Sequence, residues 1–305
     1  MANTSNANLV KISNMIYKEW YNKTTLVQSC DNSFEGELNL KTRELDIRVY
    51  HDLTIHTTSL KERELKPAAI EFMKSSTKRV TIDKGRYTHW GDLTISELVD
   101  DLTQEKSVTR QKLATKWARE AEEELAKWVV FTLPSAHLID MPTRLAWSTT
   151  KYIGTAASVG ESVIKVLDVL KAVVIANKMD YSEFTLFASE ALEGAIRDQK
   201  LVIDSLSNDV TFRKGTVGVV NDIDIRKIHI PALVTRNSTS GLIEAEYAIW
   251  KTRDGIQYVV PYKNTVEYEL QKSEILLGGT GHQTIEYYDF FNLYPTRLYR
   301  VPLYY

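Results

Sequence analysis

The chain has 305 residues, of which 43% are hydrophobic and 26% are charged, with 38 basic and 40 acidic side chains. This balance is typical of a globular protein that is long enough for two domains. It excludes tight nucleic-acid binding through bulk charge, because neutralising phosphates requires a basic excess that a net charge of −2 does not provide.

The sequence also excludes several other classes of protein. The single cysteine, Cys30, cannot build a disulfide framework or a cysteine-based zinc site. No stretch approaches the roughly 18 consecutive apolar residues that a membrane span requires. The polar start, MANTSNANLVKISN, lacks the apolar region of a secretory signal. We therefore expect a cytosolic protein that associates with no membrane.

Residues 1–33 are predicted to form an N-terminal arm. Ile12, Met15, Ile16 and Trp20 recur at helical spacing, after a start that is too polar to pack into a core. This pattern predicts a short amphipathic segment on a loose tether. Two positions are open for it, one on the protein's own core and one on a neighbouring subunit.

Between residues 34 and 95 the pattern changes to strand. Apolar and charged residues alternate from Glu44 to Val49, and Val80 and Ile82 begin a returning run. The segment between them carries many charges and Pro67, so the two runs predict a long hairpin with little core of its own. Such a hairpin is only marginally stable in isolation. We expect it to become ordered against a partner surface.

The clearest helix is predicted from Ser107, which can cap it, to Phe131. Its apolar stripe consists of Leu113, Ala114, Trp117, Ala121, Leu125, Trp128 and Val129. Trp117 and Trp128 are eleven residues apart, which places them on nearly the same side of the helix. Both indoles are therefore expected to be buried.

Three adjacent carboxylates, Glu122, Glu123 and Glu124, lie on the same helix. These residue types occur in metal and acid–base sites, but adjacent side chains on a helix point in different directions. Glu123 is also correctly spaced for an ion pair with Lys127. A solvated helix face is therefore predicted for all three.

A compact α/β unit is predicted to follow. A second apolar helix runs from Glu161 to about Asn177, a short strand covers Glu183–Ala188, and Ser189 caps a further helix. The segment 212–231, FRKGTVGVVNDIDIRKIHIP, then predicts two short strands with bends at its two glycines.

The last sixty residues are rich in strand formers and aromatic side chains, as in the stretch 283–295, QTIEYYDFFNLYP. Aromatic rings can stack on nucleic-acid bases, but such sites need basic residues between the rings, and this stretch has none. Tyrosine-rich surfaces are favoured in protein interfaces, where the ring is buried and the hydroxyl stays hydrogen-bonded. A protein interface is therefore predicted here.

Four regions in this order resemble the major capsid proteins of tailed double-stranded DNA bacteriophages. They are the FEGEL stretch 34–38, the returning strand RVTIDKGRYTHW at 79–90, the long helix, and the hairpin segment 212–231. The family often has an arginine entering that last hairpin and a glycine where this chain has Asn221 or Asp222. These departures leave the geometry of the turn open.

The resemblance implies an α+β protein with the tailed-phage major capsid (Hong Kong-type) fold. It divides the chain into five parts: an N-terminal arm (1–33); an extended β-hairpin loop with flanking peripheral-domain strands (34–95); the spine helix of the peripheral domain (96–145); the axial domain (146–235); and a remaining axial-domain strand with the return into the peripheral domain (236–305).

The function that the resemblance implies is structural, with no catalytic residue, cofactor or metal. The chain would self-assemble into pentamers and hexamers of an icosahedral phage head that encloses packaged double-stranded DNA without sequence-specific binding. Assembly would take place in the host cytoplasm with a separate scaffolding protein and a portal. The resemblance also allows a decoration protein on the virion.

Two alternatives are open. Encapsulin-like shell proteins of bacterial nanocompartments share the capsid fold. A metal-dependent hydrolase could use His51, Asp52 and His56, but a spacing of five on an alternating strand places the two histidines on opposite faces. The sequence has no phosphate-binding loop, nucleophile elbow or H-E-x-x-H motif. His282, in the stretch GGTGHQT, is expected in an exposed turn.

Overall fold

The structure is a computed structural model that describes residues 18, 20–33, 44–50, 75–91, 104–139, 163–198, 216–236, 238–239, 241, 243–270 and 279–304. The strands and helices in these ranges are β1 (Glu44–Tyr50), β2 (Ser75–Thr81), β3 (Lys84–Gly91), α1 (Gln104–Lys127), α2 (Val163–Ala176), β4 (Thr185–Ala188), α3 (Glu190–Asp198), β5 (Thr216–Val220), β6 (Ile223–Lys227), β7 (Val234–Arg236), β8 (Ile243–Lys251), β9 (Gln257–Leu270), β10 (Gly279–Phe291) and β11 (Leu298–Tyr304). The mixed α+β class is confirmed.

A six-stranded sheet organises the second half of the chain. Its strand order is β11-β8-β4-β6-β5, and β7 also pairs with β8. The pairing is antiparallel except between β4 and β6. The apolar stripe of α2 packs on one face of this sheet through Val163, Val166, Leu167, Leu170 and Val174. The predicted Ser189 cap is confirmed, because its Oγ accepts the N–H of Ala191 at 3.1 Å.

A three-stranded antiparallel sheet, with the order β3-β10-β9, forms the other main body. Helix α1 packs on one of its faces and buries Leu113, Trp117, Ala121 and Leu125 in a second core. His282 lies within β10, opposite Trp90 of β3, so the expectation that it occupies a turn is wrong. The strand begins at Gly279 and continues through Gly281.

The extended hairpin is described at its base, where β1 and β2 pair over seven residues. Leu45 and Ile47 are buried there against Ile82, Val259 and Phe291. The base is therefore packed on β9 and β10 of its own subunit. The rest of the predicted hairpin tip, residues 51–74, lies outside the described residues.

Helix α1 differs from its prediction at both ends. It begins at Gln104 and continues beyond Lys127 as a π-helical turn, Trp128–Thr132. The Glu123–Lys127 ion pair is present at 2.7 Å. Burial is confirmed for Trp117 but not for Trp128, which is half-buried at the helix end and packs on Phe290.

From Trp20 onward the N-terminal segment lies on the protein's own core. Trp20, Leu26, Val27 and Cys30 are buried with α1. We call Trp20–Asp31 the strap. The other apolar positions of the predicted stripe, Ile12, Met15 and Ile16, lie outside the described residues.

The predicted hairpin of segment 212–231 is present as β5 and β6, joined by Asn221 and Asp222. Both residues have positive φ, 49° and 60°. Two such residues in succession define the type I′ turn, which asparagine and aspartate tolerate and glycine favours. The turn is tied to α2, because Asn221 donates to Asp168 at 2.7 Å and Lys171 donates to Asp222 at 3.2 Å. The residues that depart from the family pattern thus suit this turn.

We expect Asp222→Gly to be about 1 kcal/mol more stable than Asp222→Ala. Positive φ is unfavourable for alanine, which has no side-chain hydrogen bond to offset it, but not for glycine. Both variants lose the exposed ion pair with Lys171, so that loss cancels in the comparison. Urea denaturation with unchanged m-values measures the difference. Equal midpoints for the two variants would contradict the turn assignment.

None of the helices in the described ranges is both long and apolar enough to cross a membrane.

Candidate assembly surfaces

The covered face of the three-stranded sheet contains a buried polar network. Arg86 of β3 donates to Glu124 of α1 at 3.0 Å and lies 3.8 Å from Glu286 of β10, which is fully buried. Tyr258 donates to Glu286 at 2.8 Å, and Tyr288 donates to Glu124. The network joins all three strands to α1.

The electrostatics of this network follow from its burial. Burial alone would lower the pKa of Arg86, but Glu286 and the two tyrosines raise it above its ordinary value. Burial, with the neighbouring Glu286 carboxylate, raises the pKa of Tyr258 well above the ordinary value of a tyrosine. Arg86 therefore remains a cation and Tyr258 a neutral donor, so the network fixes α1 on the sheet rather than exchanging protons.

The opposite face of the same sheet is aromatic and open. Tyr87 is 65% exposed and stacks edge-on with His89 at 5.7 Å. Tyr287, on the neighbouring strand, packs on Tyr262 at 5.6 Å between ring centroids. Gly85 makes room for Tyr287, since an added Cβ would lie 3.1 Å from its ring. These residues, Tyr87, His89, Tyr262 and Tyr287, form what we call the aromatic face.

A groove runs beside this sheet between β3 and α1, with a volume of about 530 Å³. One wall consists of three consecutive residues of β3, from Gly85 to Tyr87. β3 is an edge strand of its sheet, so the groove lies along that edge. The other wall is the helix face that carries Glu120, Glu123 and Lys127. An open strand edge beside a charged helix is a shape that can receive an extended segment.

The six-stranded sheet has a second exposed apolar area. Ile164, Val169 and Ile175 project from the outer side of α2, and Val219 of the edge strand β5 is 68% exposed. Exposed aliphatic side chains on the outer side of a helix make it a candidate contact surface.

The described part of the chain contains no group of three or more histidine, cysteine, aspartate or glutamate side chains that could hold a metal ion. His51, Asp52 and His56 lie outside the described residues. Burial raises the pKa of the Cys30 thiol, so it is a poor nucleophile as well as an inaccessible one.

The prediction of a solvated face is wrong for Glu122. Its carboxylate accepts the backbone N–H groups of Thr25 and Leu26, the latter at 2.8 Å, and it is covered by the strap. Burial raises its pKa, although the two N–H donors act in the opposite direction. No local pattern in the sequence signals this contact, because the partner N–H groups lie almost 100 residues away along the chain.

Glu122→Ala is expected to lower the free energy of unfolding by about 2 kcal/mol, because two strap N–H groups lose their acceptor. Glu123→Ala, its neighbour in an exposed ion pair, should cost about 0.5 kcal/mol or less. Urea denaturation of both variants measures the difference. Equal losses would contradict the role of Glu122.

Glu122→Gln tests the sign of the pKa shift, because the amide keeps an acceptor and removes the charge. A raised pKa in the folded state means that the wild-type carboxyl stabilises most when protonated, below the ordinary glutamate pKa of about 4.3. Its contribution is lost as the pH rises through the folded-state pKa. Wild type should therefore lose stability relative to Glu122→Gln between pH 4 and pH 7, and the opposite trend would contradict the assignment.

Comparison with known proteins gives similarity in structure only. No family model matches the sequence, and no curated protein matches it either. The capsid of Ralstonia phage GP4 is similar with a TM-score of 0.62 and 11% identity, over 90% of this chain and 87% of that chain. A structure from Mycobacterium phage Che8 has a TM-score of 0.59 and 11% identity, over 91% and 90%.

A virus-like particle from Pyrococcus furiosus is also similar, with a TM-score of 0.51 and 11% identity, over 97% of this chain and 99% of that chain. All three likenesses extend over most of both chains. The chain therefore has the fold of phage capsid proteins, as its sequence resemblance implied.

Proposed function

We propose that this chain is the major capsid protein of a tailed double-stranded DNA phage. It self-assembles into the pentamers and hexamers of an icosahedral head and takes a structural rather than an enzymatic role. The observation that carries the proposal is the shared fold with the capsid of Ralstonia phage GP4 over about nine-tenths of each chain. The order of motifs in the sequence supports it independently.

In this proposal the three-stranded sheet and α1 belong to the peripheral domain, with α1 as its spine helix. The unit of α2, β4, α3, β5 and β6 belongs to the axial domain. The contact surfaces are the aromatic face, the groove beside β3 and the apolar side of α2. Their occupant is a second copy of the chain, because a shell is closed by repeated contacts between identical subunits.

The head encloses double-stranded DNA without reading its sequence. This role agrees with a net charge of −2, which gives no basic surface excess for tight DNA binding. Assembly takes place in the host cytoplasm, and a scaffolding protein, a portal and, where present, a decoration protein are its further partners.

A second candidate is the shell protein of an encapsulin-like nanocompartment. It is favoured by the likeness to the virus-like particle from Pyrococcus furiosus, which extends over 97% of this chain. The contents of particles isolated from the native source distinguish the two functions. A phage head contains long double-stranded DNA, whereas a nanocompartment contains protein cargo.

The aromatic face gives a direct test of self-assembly. In the double variant Tyr87→Ser with Tyr287→Ser, both changes are on exposed rings, so the fold should persist while subunit contacts weaken. We expect sedimentation velocity to show at least a tenfold higher concentration threshold for assembly than in wild type. The control is Tyr304→Ser, which changes a comparably exposed tyrosine on the other sheet. Equal thresholds in the two variants would remove the aromatic face from the interface.

A further inference from the structure

The two sheets are joined by two connections that lie against each other. We call Thr252–Ile256, between β8 and β9, and Asn292–Arg297, between β10 and β11, the junction. Thr252 N–H donates to the carbonyl of Arg297 at 3.1 Å, and the Asn292 side chain donates to the carbonyl of Gly255 at 2.7 Å. Asp254 and Arg297 form an ion pair across the two connections. The junction is therefore hydrogen-bonded within itself.

The strap lies across this junction. Asp31 N–H donates to the carbonyl of Ile256 at 2.9 Å, and Tyr258 N–H donates to the carbonyl of Asp31 at 2.8 Å. Its other end is held on α1, where Glu122 accepts two of its N–H groups and Lys23 donates to Thr115 at 2.7 Å. One short segment thus contacts the spine helix and the start of β9.

The six-stranded sheet contributes a third attachment. Lys251, the last residue of β8, is only 1% exposed, and its Nζ donates to the carbonyl of Ser29 at 2.7 Å. It also donates to the carbonyl of Thr252, in the junction, at 3.3 Å. A buried ammonium is costly unless hydrogen-bonded, and two carbonyls, one in the strap and one in the junction, meet that need here.

We propose that the strap is a brace that fixes the angle between the six-stranded and three-stranded sheets. Besides the junction, the two sheets share the core beneath α1, where Ile249 and Leu298 of the six-stranded sheet are buried with Tyr258 and Phe290 of the other. The strap adds polar attachments on both sides of this contact, through Lys251 on β8 and through Glu122 on α1. If the strap detaches, the buried Lys251 ammonium keeps only the Thr252 carbonyl, so detachment is costly.

If the chain is a shell subunit, this angle sets the curvature with which subunits meet, so this consequence depends on the proposed function. Variants with a loosened brace should then form particles of mixed diameter. The brace itself is a property of the single subunit and can be tested without any shell.

The test measures the distance between two spin labels in the unassembled subunit. In a Cys30→Ala background, Ala176→Cys on α2 and Arg119→Cys on α1 carry the labels, both at exposed positions. Lys251→Met removes the attachment to Ser29 while it keeps the hydrocarbon, and Lys112→Met changes an exposed lysine of α1 as the control. We expect the distance distribution to be at least twice as wide in Lys251→Met as in the control. Equal widths would overturn the proposal.

Hydrogen exchange on the wild-type subunit tests the same proposal without a variant that has to fold. Amides of the strap and of the junction should exchange at rates within threefold of each other. The reason is that the strap should detach only when the junction also opens. Strap amides that exchange more than tenfold faster than those of the junction would overturn the proposal. Neither measurement requires assembly, so a failure of the proposed capsid function would leave both results interpretable.

Discussion

Trp117→Ala is expected to lower the free energy of unfolding by about 4 kcal/mol, because it removes a large, fully buried ring from the core between α1 and the three-stranded sheet. Its Nε1–H donates to Thr88 at 2.9 Å, and the Arg86 guanidinium lies 5.8 Å from its ring. The change therefore opens a cavity and also leaves the Thr88 hydroxyl without this donor. The expected result is loss of soluble protein on expression or a large fall in the midpoint of urea denaturation.

The control for this prediction is Trp128→Ala. Trp128 lies on the same helix but is half-buried, so its truncation should cost about 2 kcal/mol, roughly half as much. A Trp117→Ala variant that is as stable as wild type, or no more affected than Trp128→Ala, would contradict the packing of α1 on the sheet.

Gly255→Ala is expected to destabilise the protein by about 3 kcal/mol or more. A Cβ added at this residue would clash with the carbonyl oxygen of Arg297, which is backbone and cannot move aside as a flexible side chain would. The substitution must push apart the two connections of the junction. We expect a thermal midpoint at least about 6 °C below that of wild type, since each kcal/mol lost shifts the midpoint of a chain of this length by roughly 2–4 °C.

Gly241→Ala is the matched control, because an added Cβ there has no neighbour within 4 Å. Its φ of +71° is unfavourable for alanine, so about 1 kcal/mol is expected from the backbone alone. If Gly255→Ala costs no more than Gly241→Ala, the close contact between the two connections is not present in solution.

Some of this structure is predictable from the sequence because local pattern and tertiary position agree. The stripe from Val163 to Val174 places α2 on the sheet, and Ser189 precedes α3 as its cap. The alternation around Ile223 and Ile225 gives β6, with both isoleucines buried. In each case the spacing of the apolar residues indicates which side of the element faces the core.

Other features depend on contacts between distant parts of the chain. Glu122 has the sequence context of an exposed helix residue, but the strap half-buries it and bonds to its carboxylate. Arg86 is a charged residue on an edge strand, where exposure is the ordinary expectation, but the fold places it against Glu286 and Glu124. Burial of polar residues such as these depends on partners that are distant in the sequence, so no local pattern predicts it.

The sequence predicts that an interface is present but does not predict which residues form it. The tyrosine-rich C-terminal region predicts an interface, and Tyr262 and Tyr287 do lie on the open side of the three-stranded sheet. Tyr258 and Tyr288 belong to the same region but are buried in the covered network. Which tyrosines face outward depends on the register of β9 and β10, including the irregularity between Tyr287 and Asp289.

Electron microscopy of the purified, overexpressed chain tests the capsid assignment most directly. Negatively stained samples of the wild-type protein are expected to show round shells, or pentameric and hexameric capsomers, at concentrations where sedimentation already detects assembly. A uniform population of 34.9 kDa monomers at all concentrations, with a measurable enzymatic turnover, would contradict the assignment.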